Sequence, residues 1–564
     1  MKLPWSIPFR PKLVDCLEGY TSQKLMADLT AGLTVGIVAL PLAMALGIAS
    51  GVKPGIGIYT AVVAGFIISA FGGSRVQIGG PTAAFIPIVY GIITGQGMEA
   101  LLVCTVMAGV ILLVMGITRL GDMIKFIPYP VTTGFTSGIA VLIFTTQVKD
   151  FLGLKVGPVP AKFFEKMKVL GEAMGSIHWP TVVLAVGSLL LIRLWPRSWA
   201  RRVPGSIVAV IAGTVAVTLF ALPVQTIGSQ FPDGIPQELP HFHVPHFSFG
   251  HLEVMIWNAT TIALLAAIES LLSAVVADGM INDRHDSNQE LMAQGLANIA
   301  CPFFGGIPAT GAIARTATNI RSGAVSPIAG MMHAMVLLVI ILVAAPLAKF
   351  IPLATLSAVL VVVALNMGEW HEFARLKRFP KSDAAVLVTT FVLTVILDLT
   401  YAVAIGMMLA AMLFIKRVSE TTKITSADES SGSEEERELM AGKNVPPGVL
   451  IYRVFGALLF GAAEKLETAL KRAGQEPEVL VLHLQHVIAM DSTGLNALES
   501  IYERLASRGK QLILCGPHTQ PYMMMEKAGF FDHLGHENVV ADVDEALARA
   551  RKILKLPAME KSGK

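Results

Sequence analysis

The stretches QIGGPTAAF (residues 77–85) and GGIPATGAIAR (residues 305–315) interrupt a chain that otherwise consists largely of long apolar runs. Each opens a short apolar segment, at 81–94 and at 308–320, that falls short of the roughly 20 residues needed to cross a bilayer. Proline suits the first position of a helix because no N–H donor is lost there, so we expect Pro81 and Pro308 to begin two half-helices. A helix that starts inside the bilayer exposes unpaired N–H groups and the positive end of its dipole. Two such ends facing each other predict an anion site, whereas loops or ordinary kinks are the alternative.

The composition separates a membrane part from a soluble part. Of 564 residues, 53% are hydrophobic and 15% are charged, whereas soluble domains carry about 25% charged residues. Almost all long apolar runs precede Lys416 and Arg417. The net charge of +3, without a basic block interleaved with aromatics, argues against a nucleic-acid partner. The four cysteines are scattered, which predicts reduced thiols and no metal site.

The remaining membrane segments are predicted from apolar stretches long enough to span. They lie at 29–51, 55–72, 98–119, 123–147, 177–194, 205–223, 256–278, 286–304, 328–347, 351–367 and 384–416. The last stretch is long enough to form two short helices divided near Asp398. With the two half-helices, the sequence predicts a polytopic α-helical membrane protein of about 14 segments.

Basic residues in the short loops place both termini in the cytoplasm, as expected for a multi-pass protein of the inner (plasma) membrane. They lie in the N-terminal arm and at Arg75, Arg119, Lys125, Arg197, Arg201, Arg202, Arg284, Arg375, Lys377, Arg378 and Lys381. Residues 224–258 contain no Lys or Arg, which is typical of an outside loop. The lysine-rich loop 149–168 disagrees, although long loops count less in this rule. The arm shows no cleavage site of a removable signal peptide.

An internal repeat is indicated by matches in one register. TVGIVAL at 34–40 resembles TIALLAA at 261–267, and Pro81 and Pro308 are separated by the same 227 residues. Many secondary transporters consist of two copies of one unit with opposite topology. With seven segments per copy, an odd number, the second copy must be inverted. The sequence therefore predicts a 7+7 inverted repeat.

Two ionisable residues within the apolar segments are candidates for function. Glu269 lies in the middle of a spanning segment, where a charge costs several kcal/mol and is functional by default. Its carboxylate could take a proton or a cation, and Ser273 lies one turn further on the same face. Arg315 is expected about two turns into the second half-helix, where its charge could neutralise an anion. The alternatives are a structural pair between Glu269 and Arg315, or an arginine that extends to the membrane edge.

The predicted outside loop contains four histidines, His241, His243, His246 and His251. Four histidines in one loop could suggest a zinc site, but they are not accompanied by acidic or cysteine ligands in a familiar zinc-binding pattern. We therefore expect no metal site and no cofactor.

The last part of the chain has the pattern of a small α/β domain. Strand-like VLIYRVFG, VLVLHL and QLILCG alternate with helical stretches at 461–474, 492–508, 520–528 and 543–555. Asp491 or Ser492 is expected to cap the helix after the second strand. The predicted division is an N-terminal arm (1–28), a transport domain (29–417), an acidic linker (418–446) and the α/β domain (447–558).

Several motifs, taken together and in order, resemble those of the SulP family of anion transporters, the sulfate permeases. They are DLTAGLTVGIVALPLAMALGIASGV, GGSRVQIGGPTAAF, IESLLSAVVAD, NQELMAQGLANI, GGIPATGAIARTATNIRSG and, near the C-terminus, MDSTGL, which is similar to the signature turn of STAS domains. The resemblance covers nearly the whole chain. It implies a core domain that moves against a gate domain, and homodimers with cytoplasmic STAS domains.

The resemblance also implies site residues. The substrate site is carried onto Gly80, Pro81, Thr82, Ala83, Ala84, Ile313, Ala314 and Arg315, with Pro41, Met44 and Ala45 completing the pocket wall. The coupling-ion site of cation-coupled relatives maps to Glu269 and Ser273. The glutamate at this position weakens the assignment of Na⁺ as the coupling ion and leaves H⁺ at least equally well supported. The phosphorylated serine of STAS regulators maps to Ser492.

The sequence thus predicts a secondary active transporter of small anions (sulfate, bicarbonate or a similar oxyanion, or a dicarboxylate) that works by alternating access and symports H⁺ or Na⁺. Its expected partners are the anion, membrane lipid, a second copy of the chain and a cytoplasmic protein that binds the STAS domain. One alternative is an uncoupled exchanger or channel-like conductor. Another is a membrane-anchored sensor that acts through the STAS domain. An enzyme is not expected, because no nucleophile, base and orienting group come together.

Overall fold

The computed structural model of the protein describes residues 9–124, 127–157, 159–196, 199, 203–232, 237–246, 252–397, 399–426, 444–459, 465, 468 and 477–557. Within them the chain folds as two compact units, 1–408 and 409–564. The predicted acidic stretch DESSGSEEERE, most of the helix at 461–474, Asp398 and His251 lie outside the described residues.

Fourteen membrane segments are described, seven in each of two sets. The first set is α1 Ser22–Ala49, α2 Pro54–Phe71, α3 Ile86–Gln96 (preceded by the 3-10 turn Ala83–Phe85), α4 Met98–Ile117, α5 Tyr129–Leu152, α6 Trp179–Leu194 and α7 Gly205–Leu219. The second set is α8 Leu252–Ile281, α9 Ser287–Ala300, α10 Ile313–Arg321, α11 Ile328–Ala348, α12 Leu353–Met367, α13 Lys381–Ile396 and α14 Leu399–Thr421. The predicted fold class is confirmed.

The fourteen segments differ in length and in apolar content. Seven helices in the described part of the chain are long and apolar enough to cross a membrane: α1, α2, α4, α5, α8, α11 and α14. The others are shorter, and the half-helices α3 and α10 have only 11 and 9 residues. The first segment begins at Ser22 rather than 29, within the range predicted for the N-terminal arm, and the fifth begins at Tyr129 rather than 123, so both predicted starts are wrong. The lysine-rich loop contains a helix that was not predicted, Phe163–Glu172. The predicted division of 384–416 is found, since α13 ends at Ile396 and α14 begins at Leu399.

The starts of two pairs of corresponding helices are shifted by 230 residues rather than the predicted 227. Ser22 and Leu252 begin equivalent helices, as do Met98 and Ile328, and each pair is 230 residues apart. The predicted register was wrong because apolar helical sequence matches itself at several offsets. The proline match also misled, since Pro81 lies two residues before its helical segment and Pro308 five residues before α10.

The membrane helices pack as two groups. In one group α1 packs on α11, and α9 packs on α2 and α4. In the other, α5 packs on α12 and α13, and α6 on α7 and α12. This division matches the core and gate domains implied by the resemblance.

Glycines allow α4 and α9 to approach closely within the core group. A Cβ atom on Gly109 would lie 2.7 Å from the carbonyl oxygen of Gly295, and a Cβ on Gly295 would lie 2.7 Å from that of Gly109. Small residues that let backbones approach are a common basis of helix association in membranes, where apolar burial alone provides little drive.

The second unit contains a five-stranded sheet. Its strands are Lys423–Ser426, Val449–Leu458, Val479–Met490, Gln511–Cys515 and Val539–Val540, in that spatial order. The first pair is antiparallel and the others are parallel. The helices are α15 Ser492–Ala506, α16 Thr519–Lys527, α17 Phe530–Leu534 and α18 Val543–Ile553. Lys423–Ser426 forms an edge strand within the range assigned to the linker.

Candidate functional site

A two-residue strand from each repeat brings the two interrupted stretches together. Gly79 pairs with Gly311, and Gly80 with Thr310, in an antiparallel arrangement. The Ala312 N–H extends the contact by donating to the Ile78 carbonyl oxygen at 2.8 Å. Each stretch then turns into its half-helix.

The prolines do not begin the half-helices, so that prediction was wrong. Helical geometry starts at Ala83 and at Ile313, and both prolines lie in non-helical backbone. The physical reason is the strand pairing, because the residues that pair must be extended immediately before each helix begins. Ala312, at the N-cap of α10, has no side-chain cap, so the first N–H groups of this helix gain no side-chain acceptor there.

Arg315 is the third residue of α10 rather than two turns along it. Its side chain is buried, and Nη2 donates to the Pro81 carbonyl oxygen at 2.9 Å. Nε and Nη1 are buried without a hydrogen-bond partner among the described residues. The guanidinium thus ties the second half-helix to the backbone that leads into the first, and it keeps unused donor capacity.

Gly80 is the residue that makes room for this arginine. Its φ is +149°, which L side chains rarely adopt, and a Cβ atom would lie 2.6 Å from Arg315 Nη1. Glycine is therefore required here both by backbone conformation and by the close approach of the guanidinium.

Glu269 lies in the middle of α8 and is 8% exposed. Its Oε2 accepts a hydrogen bond of 2.9 Å from Oγ1 of Thr82, the residue just before the first half-helix. The alternative in which Glu269 pairs with Arg315 is not found in the described structure. The acidic side chain therefore contacts one half-helix, and the basic side chain belongs to the other.

Ser273 lies one turn beyond Glu269 and contacts the second half-helix. Its Oγ donates to Oγ1 of Thr316 at 3.3 Å, and the same Oγ1 accepts from the Ile78 N–H at 3.0 Å. Thr310 Oγ1 donates to the Ala266 carbonyl oxygen at 2.8 Å. Helix α8 thus touches both interrupted stretches.

A cavity of about 260 Å³ adjoins Arg315. Of the predicted site residues, Pro41, Ala314 and Arg315 line it. Met44, Ala45, Ala83 and Ala84 are buried, whereas Ile313 is 43% exposed. The start of α7 also borders the cavity, through Gly205 and Ser206. The cavity therefore lies between α1, α7, α10 and α12, where the core and gate groups meet.

Sequence reasoning missed Glu290, a second buried carboxylate on α9. Its oxygens accept N–H bonds from Gly73 at 3.0 Å, Gln77 Nε2 at 3.0 Å and Gln294 Nε2 at 2.8 Å. These donors lie on α9 itself and on the chain that leads into the first strand. An acid and an amide four residues apart in an apolar helix were the available signal.

Asp28 of α1 was missed as well. It is fully buried, and its carboxylate accepts from the N–H groups of Val325 and Ser326, from Ser326 Oγ and from the Tyr20 hydroxyl. Burial and the bond to Asp28 raise the pKa of Tyr20 to about 12, so the phenol remains a donor. Asp28 fastens the loop that follows α10 to the start of α1.

The histidine-containing loop 237–246 is held to the core group. Phe242 stacks on Phe303 with ring centroids 5.6 Å apart, and His243 Nε2 lies 3.3 Å from Glu99 Oε1. The His246 N–H donates to Glu99 Oε2 at 3.0 Å. His243 and the His246 backbone thus find their acidic partner on α4, which the loop sequence could not show, whereas His241 Nε2 pairs with Glu238 of the same loop. No group of three or more metal-binding side chains occurs among the described residues.

In the second unit, Asp491 caps α15 as predicted. Its carboxylate accepts from the Gly494 N–H at 2.8 Å, and Ser492 is the exposed first residue of the helix. A Cβ atom on Gly494 would meet the Leu458 carbonyl oxygen at 2.1 Å, which accounts for the glycine in MDSTGL.

Comparison with known proteins identifies the family. Residues 25–390 match the sulfate permease family, and residues 441–546 match the STAS domain. The chain is 43% identical over 530 residues to the "Putative sulfate transporter YvdB" of Bacillus subtilis (strain 168), an alignment that covers 94% of this chain and 98% of that protein. It is 32% identical over 510 residues to the "Bicarbonate transporter BicA" of Synechocystis, covering 88% of each.

A solved structure shares the fold of nearly the whole chain. The murine anion transporter Slc26a9, in its inward-facing state, matches with a TM-score of 0.85 and 19% identity, covering 96% of this chain and 94% of that one. The sequence relatives are named as transporters rather than enzymes. The family indicated by the motifs is confirmed, and the chain belongs to the sulfate permease family, with a STAS domain behind its multi-pass membrane unit.

Proposed function

We propose that the protein is a secondary active transporter that carries a small anion across the plasma membrane by alternating access and symports H⁺ or Na⁺. Its relatives are named for sulfate and for bicarbonate, and a similar oxyanion or a dicarboxylate remains within the proposal. The core group of helices carries the substrate and the gate group provides the opposing wall.

The hydrogen bond between Thr82 and Glu269 is the observation that carries this proposal. A charged carboxylate in a low-dielectric setting is costly, and binding of H⁺ or Na⁺ removes that cost. Because Thr82 immediately precedes the first half-helix, the charge of Glu269 acts directly at the proposed anion site. Ser273, on the same face of α8, is the proposed second ligand of the coupling ion.

The anion is proposed to bind where the two half-helices begin. Backbone groups of Gly80, Pro81, Thr82, Ala83 and Ala84 lie on one side. Ile313, Ala314 and Arg315 lie on the other, and Pro41, Met44 and Ala45 of α1 form the wall. Helix N-termini favour negative charge through their free N–H groups and dipoles. Arg315 adds a permanent positive charge, so Arg315→Ala should weaken anion affinity.

The test is uptake into proteoliposomes that contain the purified chain. Glu269→Gln keeps the size of the side chain and an acceptor for Thr82 but cannot bind a proton. We expect gradient-driven uptake to fall to the background of protein-free vesicles while anion binding stays largely intact. Glu253→Gln, an exposed position on the same helix, is the control and should behave as wild type.

Other outcomes of this assay distinguish the alternatives. Full coupled uptake by Glu269→Gln would refute the assignment of the coupling site. Uptake that ignores both pH and Na⁺ gradients would favour an uncoupled exchanger or conductor. A cellular activity that survives mutation of both half-helices would favour a membrane-anchored sensor.

We also propose that the protein works as a homodimer with both termini in the cytoplasm, and that a cytoplasmic partner binds the STAS domain. The exposed Ser492 is the proposed phosphorylation site. Crosslinking in native membranes tests the dimer, and phosphopeptide analysis of the purified chain tests Ser492.

A further inference from the structure

The wall of the cavity beside Arg315 is mostly aliphatic. The side chains that face it from α1 and α12 include Val35, Val38, Leu42, Val359, Val362 and Val363. Among the described residues that line the cavity, Arg315 carries the single charge. An anion in this space therefore meets one positive charge and a surface that cannot replace its hydration shell.

Hydrogen-bond donors at the cavity are few. Ser206 and Thr318 are the hydroxyl side chains in its lining, and Thr318 Oγ1 already donates to the Ala314 carbonyl oxygen at 2.8 Å. The remaining donors are Nε and Nη1 of Arg315, which have no partner among the described residues, the Ser206 hydroxyl and the free N–H groups at the start of α10. A strongly hydrated anion would lose far more hydrogen bonds with water than it could regain here.

The buried acidic groups add neither a positive charge nor a hydrogen-bond donor to the cavity. Glu269 is bonded to Thr82, and Glu290 is enclosed by N–H donors of Gly73, Gln77 and Gln294. Neither carboxylate lines the cavity. If they are charged, they act as further negative groups that oppose a second charge on the substrate.

The desolvation cost of an anion and its attraction to Arg315 depend differently on the charge of the anion. The cost of removing an ion from water grows with the square of its charge, whereas its attraction to a single guanidinium grows in proportion to the charge. A dianion therefore gains twice the attraction of a monoanion but pays about four times the desolvation cost. A cavity with one cation and an otherwise aliphatic wall therefore favours a monoanion over a dianion.

We infer that the site prefers small, singly charged anions, of the bicarbonate, formate or nitrate type, over dianions such as sulfate. The inference rests on the proposed function and narrows its substrate class. It distinguishes between the two anions for which the relatives are named, since bicarbonate carries one charge and sulfate carries two.

The first measurement is uptake of radiolabelled bicarbonate, formate and sulfate by the full chain in proteoliposomes, under the gradient that drives the fastest uptake. We expect the monoanions to enter at least roughly tenfold faster than sulfate at equal concentration. Thermal shifts of the detergent-solubilised chain with formate, nitrate and sulfate measure the same preference in binding. Equal or greater uptake and thermal shift with sulfate would overturn the inference while leaving anion transport intact.

A second positive charge in the cavity should change the preference. Val362→Lys, or Ser206→Lys if the first variant does not fold, should raise the ratio of sulfate to bicarbonate uptake roughly tenfold. Val362→Met is the matched control, since it lengthens the side chain without adding charge, and should leave the ratio low. Lysine variants that fold and keep the wild-type ratio would overturn the inference. Absence of gradient-driven uptake for every anion would refute the proposed function, and the thermal shifts would still test the preference.

Discussion

At the residue scale, the site is determined by side chains that each connect two elements. Arg315 joins α10 to the backbone at Pro81, and Thr82 joins the first half-helix to Glu269 on α8. Asp28 joins the start of α1 to the loop after α10. Because each of these groups is buried, an unpaired partner would lose its hydrogen bond without regaining water.

Gly80 is the residue whose substitution we expect to be most damaging. In Gly80→Ala the new Cβ would lie 2.6 Å from Arg315 Nη1, at a φ of +149°. Displacement of the guanidinium should lower anion uptake by roughly a hundredfold, measured in proteoliposomes. Gly91→Ala in α3 is the control, because nothing lies within 4 Å of its Cβ. Equal activity of the two variants would contradict the role of this close approach.

Asp28 should contribute to stability rather than to substrate selection. Asp28→Asn replaces one accepting oxygen by an NH₂ group that must face the donors Ser326 and Tyr20. We expect a loss of roughly 1–3 kcal/mol, visible as a lower melting temperature in detergent. Tyr20→Phe removes only one of the bonds and should cost less. A melting temperature of Asp28→Asn equal to that of wild type would refute this account.

At the element scale, short strand pairing and close helix contacts hold the two half-helices in place, since neither half-helix has a long apolar span. The half-helices are too short to cross a membrane, and the antiparallel pairing of Gly79 with Gly311 and Gly80 with Thr310 keeps their starts together. Irregular backbone at this depth is tolerated only where protein surrounds it or a cavity adjoins it. The surrounding helices, above all α2 and α8, meet that condition.

The contact between α4 and α9 can be tested by one methyl group. In Gly109→Ala the Cβ would meet the Gly295 carbonyl oxygen and the Ile299 nitrogen at 2.7 Å, so the helices must separate. We expect a lower melting temperature of the full chain and a loss of roughly 1–3 kcal/mol. Gly187→Ala in α6 has open space around its Cβ and should be neutral. A similar small effect of both changes would show that α4 and α9 tolerate separation.

At the scale of the whole molecule, the chain consists of a membrane unit that ends with α14 and of the α/β part of the second unit, residues 422–557, here called the soluble unit; the two have separate cores. The soluble unit starts earlier than the α/β pattern suggested. Its first strand, Lys423–Ser426, pairs with the second, and Thr422 Oγ1 donates to the Ala457 carbonyl oxygen at 2.8 Å. The boundary of this domain is thus a matter of strand pairing rather than of composition.

Two fragments of the soluble unit should differ in stability for this reason. A fragment of residues 422–557 keeps the edge strand, whereas a fragment of residues 447–557 lacks it. We expect the longer one to be more stable by roughly 1–3 kcal/mol, measured by urea denaturation of each purified fragment. Equal unfolding midpoints would mean that the edge strand adds nothing to the sheet.

The sequence by itself determined the membrane class, the count and order of segments, the two interrupted stretches and the candidate residues Glu269 and Arg315. These follow from local properties, because an apolar run, a Gly/Pro break or a charge within an apolar run is visible without knowledge of its neighbours. The family motifs then indicated the family that the comparisons confirm.

Only the tertiary structure decided the repeat register, the starts of the half-helices and the partners of the buried polar groups. Apolar helices match at many offsets, and the strand pairing that holds Pro81 and Pro308 outside the helices joins residues more than 200 positions apart. The bonds of Glu269 to Thr82 and of Arg315 to Pro81 join residues 187 and 234 positions apart. Buried polar groups need hydrogen-bond partners. Tertiary packing, rather than local sequence, determines which groups lie close enough to be those partners.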